Sequence, residues 1–472
     1  MTAAGTGMDA QWADRAWRAG DTAAAIEVAD HVLATDTDPD HLAAGVAAAA
    51  AAADGALGES ADRWRHVTEA LPGVPGALAG GRAALAAALI GDAAAADADL
   101  AAARDLVPGA APRGLTVLFD AVEATTAAMR GEFTTAARAL AGLAVATVAA
   151  DPMAAERWDE LAVAVTIAGG ADRTAADMLA AHGDQPTTTR RRLLTAWLDL
   201  RAGRLADARA GLAAAGGTPT MRRDAVLAAA ITVGLARRAG DDEALRATWY
   251  RVVPVISGAD VEPLLLDAWG ELSVGAALVS PAECATIVAS METAIARAGR
   301  PAWALAVHTW WAVQRAAALD EPVDLVADEF DGWFPVRAAA ARCWAVVLSG
   351  SCDPIAVRAA AQALTETGQP WEGAALCAAG ARRLDAQAAR ELLAAGRAMR
   401  ATIVTARASA GGLSTRERSV GELLLDGLTH KEIGARLYIS PKTVEQHVAR
   451  LRQKLLASNR SELVAALRVK LS

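Results

Sequence analysis

The chain has 472 residues and a formal net charge of −9, and this length predicts either several domains or one long repetitive domain. The charge is unevenly distributed. Residues 410–472 carry 4 Lys and 7 Arg against 6 acidic residues, a net of +5, so residues 1–409 carry −14. An acidic body with a basic end is typical of a protein that contacts nucleic acid only through that end.

Lysine is confined to the C-terminal end, where Lys431, Lys442, Lys454 and Lys470 are the only four in the chain. P-loop nucleotide-binding domains and protein kinases both need a lysine on the nucleotide phosphates. Because residues 1–430 contain no lysine, we exclude both classes from this region, and we also exclude Schiff-base chemistry there. A phosphoacceptor receiver domain normally uses a lysine and alternates strands with helices, and neither feature is visible.

Cysteine usage and hydropathy favour a cytoplasmic protein. The four cysteines have no C-x-x-C spacing and no histidine nearby, so we expect reduced thiols in the core: Cys284, Cys343, Cys352 and Cys377. No signal peptide is predicted, and no apolar run reaches the roughly 18 residues of a membrane span. The ratio of 42 Arg to 4 Lys and the high alanine content are typical of a GC-rich, for example actinobacterial, genome.

Residues 1–400 have helical periodicity almost throughout, and they are rich in alanine, leucine and arginine, which favour helices. A helix, a break at glycine and a second alanine-rich helix recur along this region. The spacing of the breaks averages just under 35 residues, close to the roughly 34-residue period of tetratricopeptide hairpins. We therefore predict an all-α fold in which residues 1–400 form an α-solenoid resembling degenerate tetratricopeptide repeats, each hairpin packing on its neighbour. The breaks are assigned to Gly20, Gly58, Gly91, Gly131, Gly170, Gly203, Gly240, Gly270, Gly299, Gly332 and Gly368.

Two groups of side chains in the solenoid bear on binding. Six of the thirteen tryptophans lie between residues 303 and 371. Trp303, Trp310 and Trp333 among them either fill gaps in an alanine-rich core or form an aromatic groove for a ligand. A local acid cluster has no partner motif, and we interpret it as solvated helix surface: Glu156, Asp159 and Glu160.

Residues 401–412 lose amphipathic order and end in two glycines, which predicts a hinge linker before a C-terminal domain of residues 413–472. Four capping signals predict four short helices in that domain. These signals are Ser414-x-x-Glu417, Thr429-x-x-Glu432, Ser440-Pro441 and Asn459-x-x-Glu462. Only three residues separate the second helix from the third, and this tight corner is typical of a helix-turn-helix.

Apolar residues at helical spacing predict the core of the C-terminal domain. Gly427 is placed to end the first helix with a left-handed cap. Gly434 lies where the third helix must approach, and we expect room there for nothing larger than a methyl group. The predicted core residues are Val420, Leu423, Leu424, Ile433, Leu437, Val444, Val448, Leu451, Leu455, Leu463, Val464 and Leu467.

The third helix is the candidate reader of DNA, because an α-helix fits the major groove and its outer face is polar. Gln446 suits an adenine edge, Glu445 suits a cytosine amino group and Ala449 suits a thymine methyl. Phosphate contacts fix register without reading sequence. Thr443 flanks the reading face. We assign the phosphate contacts to four basic side chains: Lys431, Lys442, Arg450 and Lys454. The alternative is that residues 431–450 merely present the solvated face of a small helical domain.

Four motifs occur in order in this domain: L-S-T-R-E at 413–417, K-E-I at 431–433, I-S-P-K-T-V-E-Q-H-V at 439–448 and N-R-S-E-L at 459–463. Together they resemble the LuxR-type (GerE/NarL-like) helix-turn-helix of bacterial transcription regulators, over about an eighth of the chain. The resemblance implies that the third helix enters the major groove and that the fourth helps to pair two domains. Tyr438 departs from the family, many members of which have glycine at the corner. The chain is similar to the C-terminal half of large ATP-binding LuxR regulators, without a visible ATPase module.

These observations predict a sequence-specific transcription regulator that binds double-stranded DNA as a homodimer and is controlled by a small molecule or protein on the solenoid. No catalytic constellation is visible, so we predict no enzyme activity, cofactor, metal or membrane partner. Two alternatives remain: a protein-interaction scaffold with a vestigial helix-turn-helix, and a sigma-factor-like protein. A sigma factor also needs an aromatic-rich helix for promoter melting, and we find none before residue 400.

Overall fold

The fold is given by a computed structural model, which divides into two compact units, Met1–Gly396 and Arg397–Ser472. The described residues, whose ranges are given in the next sentence, contain no strand. The predicted all-α class is therefore confirmed. The structure describes residues 9–35, 38, 40–146, 153, 157–181, 188–216, 219, 221–325, 330, 332–410, 415–437, 439–454, 463–464 and 467–468. Within these ranges, side chains are described except at 145–146, 401–410, 415–418, 446, 449–450 and 453–454.

The first unit is a succession of helices, which we call the helical array. A 3-10 turn, Pro263–Leu265, precedes the fifteenth helix. The twenty-first helix, Ala386–Ala410, has residues in both units. In chain order the helices are α1 Ala10–Arg18, α2 Thr22–Ala34, α3 Leu42–Ala53, α4 Leu57–Ala70, α5 Gly73–Leu89, α6 Ala93–Asp105, α7 Arg113–Met129, α8 Phe133–Ala146, α9 Trp158–Ala168, α10 Asp172–Ala180, α11 Thr189–Arg201, α12 Leu205–Ala214, α13 Arg222–Ala239, α14 Asp242–Ile256, α15 Leu266–Val279, α16 Pro281–Arg297, α17 Ala302–Leu319, α18 Pro335–Leu348, α19 Pro354–Glu366, α20 Pro370–Ala381 and α21 Ala386–Ala410.

The helices of the array form hairpins with a regular period. In most hairpins the first helix packs on the first helix of the next hairpin, as α5 packs on α7 and α13 on α15. Eleven first helices begin between Ala10 and Pro370, so ten intervals cover 360 residues and the average period is 36 residues. The first helices are α1, α3, α5, α7, α9, α11, α13, α15, α17, α18 and α20.

Short local signals fix where the helices begin and turn. Asp92, for example, caps α6 by accepting a hydrogen bond from the N–H of Ala95 at 2.9 Å, which satisfies a free helix-end donor. Most corners between a first and a second helix contain a glycine with positive φ, a conformation that other residues adopt only with strain. These corner glycines are Gly20, Gly55, Gly91, Gly131, Gly170, Gly203, Gly240 and Gly350.

Two of the predicted glycine breaks are wrong. Gly58 lies inside α4 and Gly270 lies inside α15. A Cβ at Gly270 would be only 2.1 Å from Cγ of Trp311. Glycine is therefore required at position 270 because an indole ring packs directly on the helix backbone, and no turn occurs there.

The two halves of the array also contact each other in parallel order. The N–H of Gly58 donates to Asp260 over 202 residues of chain, and Nε1 of Trp303 donates to the carbonyl of Met129 over 174. Further along, Arg173 donates to the carbonyl of Thr365 over 192 residues. Partners about five repeats apart thus touch, so the array is stabilised by more than the nearest-neighbour packing predicted from the sequence.

Ion pairs are buried where helices of the array meet. The acid cluster was interpreted as solvated helix surface. That interpretation is wrong for its two described members, because Asp159 and Glu160 are only 8% and 4% exposed. Arg191 pairs with Asp159, and the hydroxyl of Thr188 donates to Glu160. Buried charges of this kind require partners. Here they are the nearby Arg157, which pairs with both carboxylates, and two residues about thirty positions away on α11 or just before it.

Asp267 on α15 is the most heavily shared of these buried carboxylates. It accepts hydrogen bonds from Arg337 on α18 at 2.8 and 3.0 Å, from Nε1 of Trp311 on α17 at 2.7 Å, and from Arg201 on α11. Burial alone would raise the pKa of Asp267, but the guanidinium groups of Arg201 and Arg337 outweigh burial and hold that pKa well below its usual range. One carboxylate therefore ties four first helices together.

Glu271 lies one turn further along α15, and its lowered pKa makes the stability of the array depend on pH. Burial would raise the pKa of Glu271, but Arg237 and Arg238 outweigh it and lower the pKa to about 2 from 4.5. Because the folded-state pKa is lowered, this stabilisation is present above pH 4.5 and is lost as the pH falls towards 2. We expect Glu271→Gln to unfold more easily at pH 7, and its difference from wild type to shrink as the pH falls through that range. Urea unfolding at a series of pH values measures this, and a constant difference would contradict it.

The second unit contains three described helices, α22 Thr415–Leu425, α23 His430–Leu437 and α24 Pro441–Lys454. Residues 463–464 and 467–468 are also helical. Residues 401–410 of the predicted hinge belong to α21, while 411–412 lie outside the described residues. The core is made by apolar side chains from all of the segments after α21: Val420, Leu424, Ile433, Val444, Val448, Leu451, Leu463 and Leu467. These residues are all in the predicted core, whose Leu455 lies outside the described residues.

Candidate nucleic-acid interface

The helix starts in the second unit follow the capping signals in the sequence. The backbone N–H of Thr429 donates to Glu432 at 2.8 Å, and its hydroxyl donates to the same carboxylate at 2.6 Å. These two hydrogen bonds lower the pKa of Glu432. At the start of α24, the N–H of Thr443 donates to Ser440 at 3.1 Å. The caps predicted at Thr429 and Ser440 are thus confirmed, whereas Ser414 and Asn459 lie outside the described residues.

The end of α22 is fixed by a glycine cap. Gly427 has φ +83°. Its N–H donates to the carbonyl of Leu424, and the N–H of Leu428 donates to the carbonyl of Leu423, both at 3.1 Å. This pair of hydrogen bonds is the Schellman arrangement, which requires a left-handed residue. The predicted glycine cap is confirmed, and it directs the chain into α23.

The corner between α23 and α24 is closed by a backbone contact at Gly434. The N–H of Ile439 donates to the carbonyl of Gly434 at 2.9 Å. A Cβ at Gly434 would lie 2.7 Å from the carbonyl oxygen of Ile439. The helical pattern predicted room for a methyl group at position 434, but the structure shows that even a methyl group is too large. The corner residue Tyr438 lies outside the described residues.

Gly434→Ala should therefore open this corner. We expect a loss of about 1 to 3 kcal/mol, as for other overpacked sites, confined to the second unit and accompanied by weaker DNA binding. Hydrogen exchange of the α23 and α24 amides in the full chain measures the change, because protection reports local opening. Ala435→Ser, at an exposed neighbouring position, is the control. Unchanged exchange in Gly434→Ala would show that the close contact is not needed.

The helix α24 turns one face to the core and the other outward. Val444 and Leu451 are 0% exposed and Val448 is 6% exposed, and they lie three to four residues apart. Lys442 and Glu445 are exposed, while Thr443 is half-buried. Helical spacing places positions 446, 449 and 453 on the side opposite the core. The first two turns of α24 thus bring basic, acidic and amide residue types to one outward side.

The other predicted DNA-contacting residues are placed in part. Lys431 is exposed on α23, which packs against α24. Gln446, Ala449, Arg450 and Lys454 are positioned on the backbone of α24, and their side chains lie outside the described residues. The side chain of His447, for which no role was predicted, is half-buried on this helix. Helical periodicity alone could have predicted this burial, because His447 lies next to the core residue Val448 on α24.

The tryptophans considered for a ligand groove are mostly inside the array. Trp303 and Trp310 are each 1% exposed, and Trp333 is half-buried. The ring of Phe133 packs edge-on against Trp303 at 5.1 Å and against Trp333 at 6.1 Å between ring centroids. These contacts favour the core-filling interpretation over an open aromatic groove.

Few other groups in the described part of the chain suggest a reactive site. All four cysteines are free thiols. Within the ranges that the structure covers, no three His, Cys, Asp or Glu side chains are arranged to hold a metal ion. None of the described helices is both long and apolar enough to cross a membrane.

The capped helices, the close corner at Gly434 and the outward face of α24 define a helix-turn-helix domain of the class found in bacterial transcription regulators. Comparison with known families agrees: the family described as "Bacterial regulatory proteins, luxR family" matches residues 412–467. The chain belongs to this luxR family.

Several relatives share this domain. Spore germination protein GerE of Bacillus subtilis (strain 168) is 47% identical over 55 residues, which are 12% of this chain and 74% of the relative. Transcriptional regulatory protein UhpA of Escherichia coli (strain K12) is 53% identical over 51 residues, 11% of this chain and 26% of the relative. Transcriptional regulatory protein DegU of Brevibacillus brevis is 42% identical over 52 residues, 11% of this chain and 22% of the relative. The chain thus spans only about a quarter of UhpA and DegU, and no solved structure matches it.

Proposed function

We propose that this protein is a cytoplasmic transcription regulator that reads specific duplex DNA with α24 and is controlled by a partner or ligand bound to the helical array. The observation that carries the proposal is the two-sided character of α24. Its buried Val444, Val448 and Leu451 fix the helix in the domain, while exposed Lys442 and Glu445 point to solvent. A helix anchored in this way presents its outer side chains to the major groove.

Electrostatics supports the same orientation. Residues 410–472 carry a net charge of +5 and the rest of the chain carries −14, so DNA is attracted to the second unit and repelled by the array. Lys431 and Lys442 are exposed on the two helices of the corner. Lysines in these positions suit the phosphates on either side of a groove.

We further propose that two copies bind a pseudo-palindromic site with half-sites about one DNA turn apart. The support is the resemblance to the luxR family, in which the fourth helix helps to pair two domains. Selection of bound duplexes from random DNA by the full chain tests the proposal. A recovered motif with two-fold symmetry is expected. Recovery of no enriched motif would favour the scaffold alternative.

Two substitutions on α24 should separate sequence reading from phosphate binding. We expect Gln446→Ala to change which duplexes are selected, because a bidentate amide contact discriminates by about 1 to 3 kcal/mol per base. Lys442→Ala should weaken all duplexes alike and reduce the salt dependence by about one phosphate contact. Both are measured by binding a selected duplex and its single-base variants at several salt concentrations. Equal loss on all duplexes for both variants would contradict the assigned roles.

A further inference from the structure

Two aromatic residues directly before α18 contact corners of the array that lie about five repeats earlier in the chain. Trp333 and Phe334 precede Pro335, the first residue of α18. The ring of Trp333 lies against the corner between α7 and α8, and the ring of Phe334 lies against the corner between α9 and α10. Both residues are half-buried. We call this pair the aromatic latch, because it joins the tenth hairpin to the fourth and the fifth.

Glycine at each corner makes room for the rings. A Cβ at Gly131 would lie 2.6 Å from Cη2 of Trp333, and a Cβ at Gly170 would lie 3.1 Å from Cδ1 of Phe334. The first distance is too short for a side chain unless the indole moves, and the second is tighter than ordinary van der Waals contact. At the equivalent corner between α13 and α14, a Cβ on Gly240 would meet nothing within 4 Å. The two corners that receive the latch are therefore shaped for its rings.

The latch covers an aromatic pair. The rings of Phe133 and Trp303 pack edge-on with their centroids 5.1 Å apart. Trp333 packs edge-on against Phe133 at 6.1 Å between centroids, and atoms of both indoles lie within 4 Å of the position that a Cβ on Gly131 would take. Phe133 is only 7% exposed and Trp303 only 1%. Trp333 contributes to this burial, so displacement of the latch exposes aromatic surface.

The closed latch is strained at Phe334. This residue has φ +48°, a left-handed conformation that is an outlier for a bulky side chain and unfavourable for any residue with a Cβ. Its ring contacts Gly170, and the guanidinium of Arg337 lies 5.6 Å from the ring centroid. Such strain persists only while the surrounding contacts impose it. Its release on opening offsets part of the cost of losing the ring contacts, and the half exposure of both latch residues makes that cost smaller still.

We infer that the aromatic latch is a conformational switch: Trp333 and Phe334 leave both corners together while the array remains folded, and the pair Phe133 and Trp303 becomes accessible. The closed and open forms are then two states of one folded chain. A partner that binds only one of them shifts the balance between them. The inference goes beyond the proposed function and holds whether or not the second unit binds DNA.

Hydrogen exchange on the full-length chain tests the switch, because the protection of backbone amides reports local opening. The N–H groups of Glu132, Ala171 and Ala338 are hydrogen-bonded to the backbone at the first corner, the second corner and the start of α18. We expect Trp333→Ala to accelerate exchange at all three by about tenfold, as for the loss of an aromatic contact, and to leave α3 and α13 unchanged. The ring at the second corner is that of Phe334, so a change there reports opening of the latch as a unit.

A matched pair of glycine substitutions separates the latch from ordinary strain at a turn. Gly131→Ala and Gly240→Ala both place a methyl group on a corner glycine with positive φ, +92° and +73° respectively. Of the two, only Gly131 faces a ring. We therefore expect Gly131→Ala to accelerate exchange at Ala171 and Ala338, which lie outside the mutated corner, by about tenfold or more. Gly240→Ala should affect only its own corner.

The strain is tested at Phe334 itself. Phe334→Ala and Phe334→Gly both remove the ring, but glycine adopts positive φ without strain. We expect exchange at Ala338 to be about fivefold faster in Phe334→Ala than in Phe334→Gly, because only alanine keeps the penalty for a left-handed backbone. Equal exchange, or faster exchange in Phe334→Gly, would show that the closed latch is not strained and would overturn the switch.

Two further outcomes would overturn the inference. Acceleration by Trp333→Ala that is confined to the first corner would make the two rings independent packing contacts. Acceleration throughout the array, including α3 and α13, would mean that the corners separate from the latch only when the array unfolds. If Gly131→Ala fails to fold, Trp333→Ala decides the question, because it removes atoms and adds none.

Discussion

Asp267→Asn is expected to destabilise the helical array by about 3 to 5 kcal/mol, the usual result of breaking a buried ion pair. The substitution removes the carboxylate that Arg337 pairs with and one of the two that Arg201 pairs with, the other being Asp172. Both arginine side chains are about 95% buried. The amide of asparagine also turns a donor towards these guanidinium groups. Because native proteins are stable by only about 5 to 15 kcal/mol, much of the array's margin should be lost. Urea unfolding followed by circular dichroism measures the shift in midpoint.

The matched control is Asp30→Asn. Asp30 also accepts a hydrogen bond from an arginine, Arg63 at 2.9 Å, but its side chain is 48% exposed. Exposed ion pairs contribute about 0 to 1 kcal/mol, so the control should unfold almost as wild type does. Equal shifts for the two variants would mean that burial does not set the strength of the Asp267 contacts.

Ile433→Ala is expected to unfold the second unit and abolish DNA binding. Ile433 is 0% exposed and packs in the core with Val420 and Val444. Removing a buried isoleucine side chain down to alanine destabilises by about 2 to 5 kcal/mol. A core of this size rarely supplies more than about 3 to 5 kcal/mol in total, so the change removes most of the stability.

The array should be unaffected by Ile433→Ala, because the residue belongs to the compact unit Arg397–Ser472. Hydrogen exchange measured along the full chain separates the two units. We expect exchange in α22, α23 and α24 to become fast while exchange in α11 and α15 stays slow. Retention of DNA binding by Ile433→Ala would show that the buried core does not hold the reading helix in place.

The second unit could be predicted in detail because its signals are local. The partners in the capping box, Thr429 and Glu432, are three residues apart, and the Gly427 cap acts through carbonyls within five residues. Helical spacing alone separated Val444 and Val448 from the outward positions of α24. Only the tightness of the corner at Gly434 was underestimated, because it depends on a carbonyl five residues away in the next segment.

The array could be predicted in class and period but not in its contacts. The period of hairpins is a local pattern, whereas Asp267 meets arginines 66 and 70 residues away. In the sequence, such a charge is indistinguishable from one on a solvated helix face, as the interpretation of Asp159 and Glu160 illustrates. Gly270 was assigned to a break because nothing local reveals that Trp311 packs on it.

The most direct test of the central proposal is the affinity of the full chain for a selected duplex and for a scrambled duplex across a series of salt concentrations. We expect binding of the selected duplex to be tighter by about 10³-fold or more. The log-log slope with salt should be about −0.9 for each phosphate contacted. Equal affinity for both duplexes at every salt concentration, or no binding even at low salt, would contradict sequence-specific reading by α24.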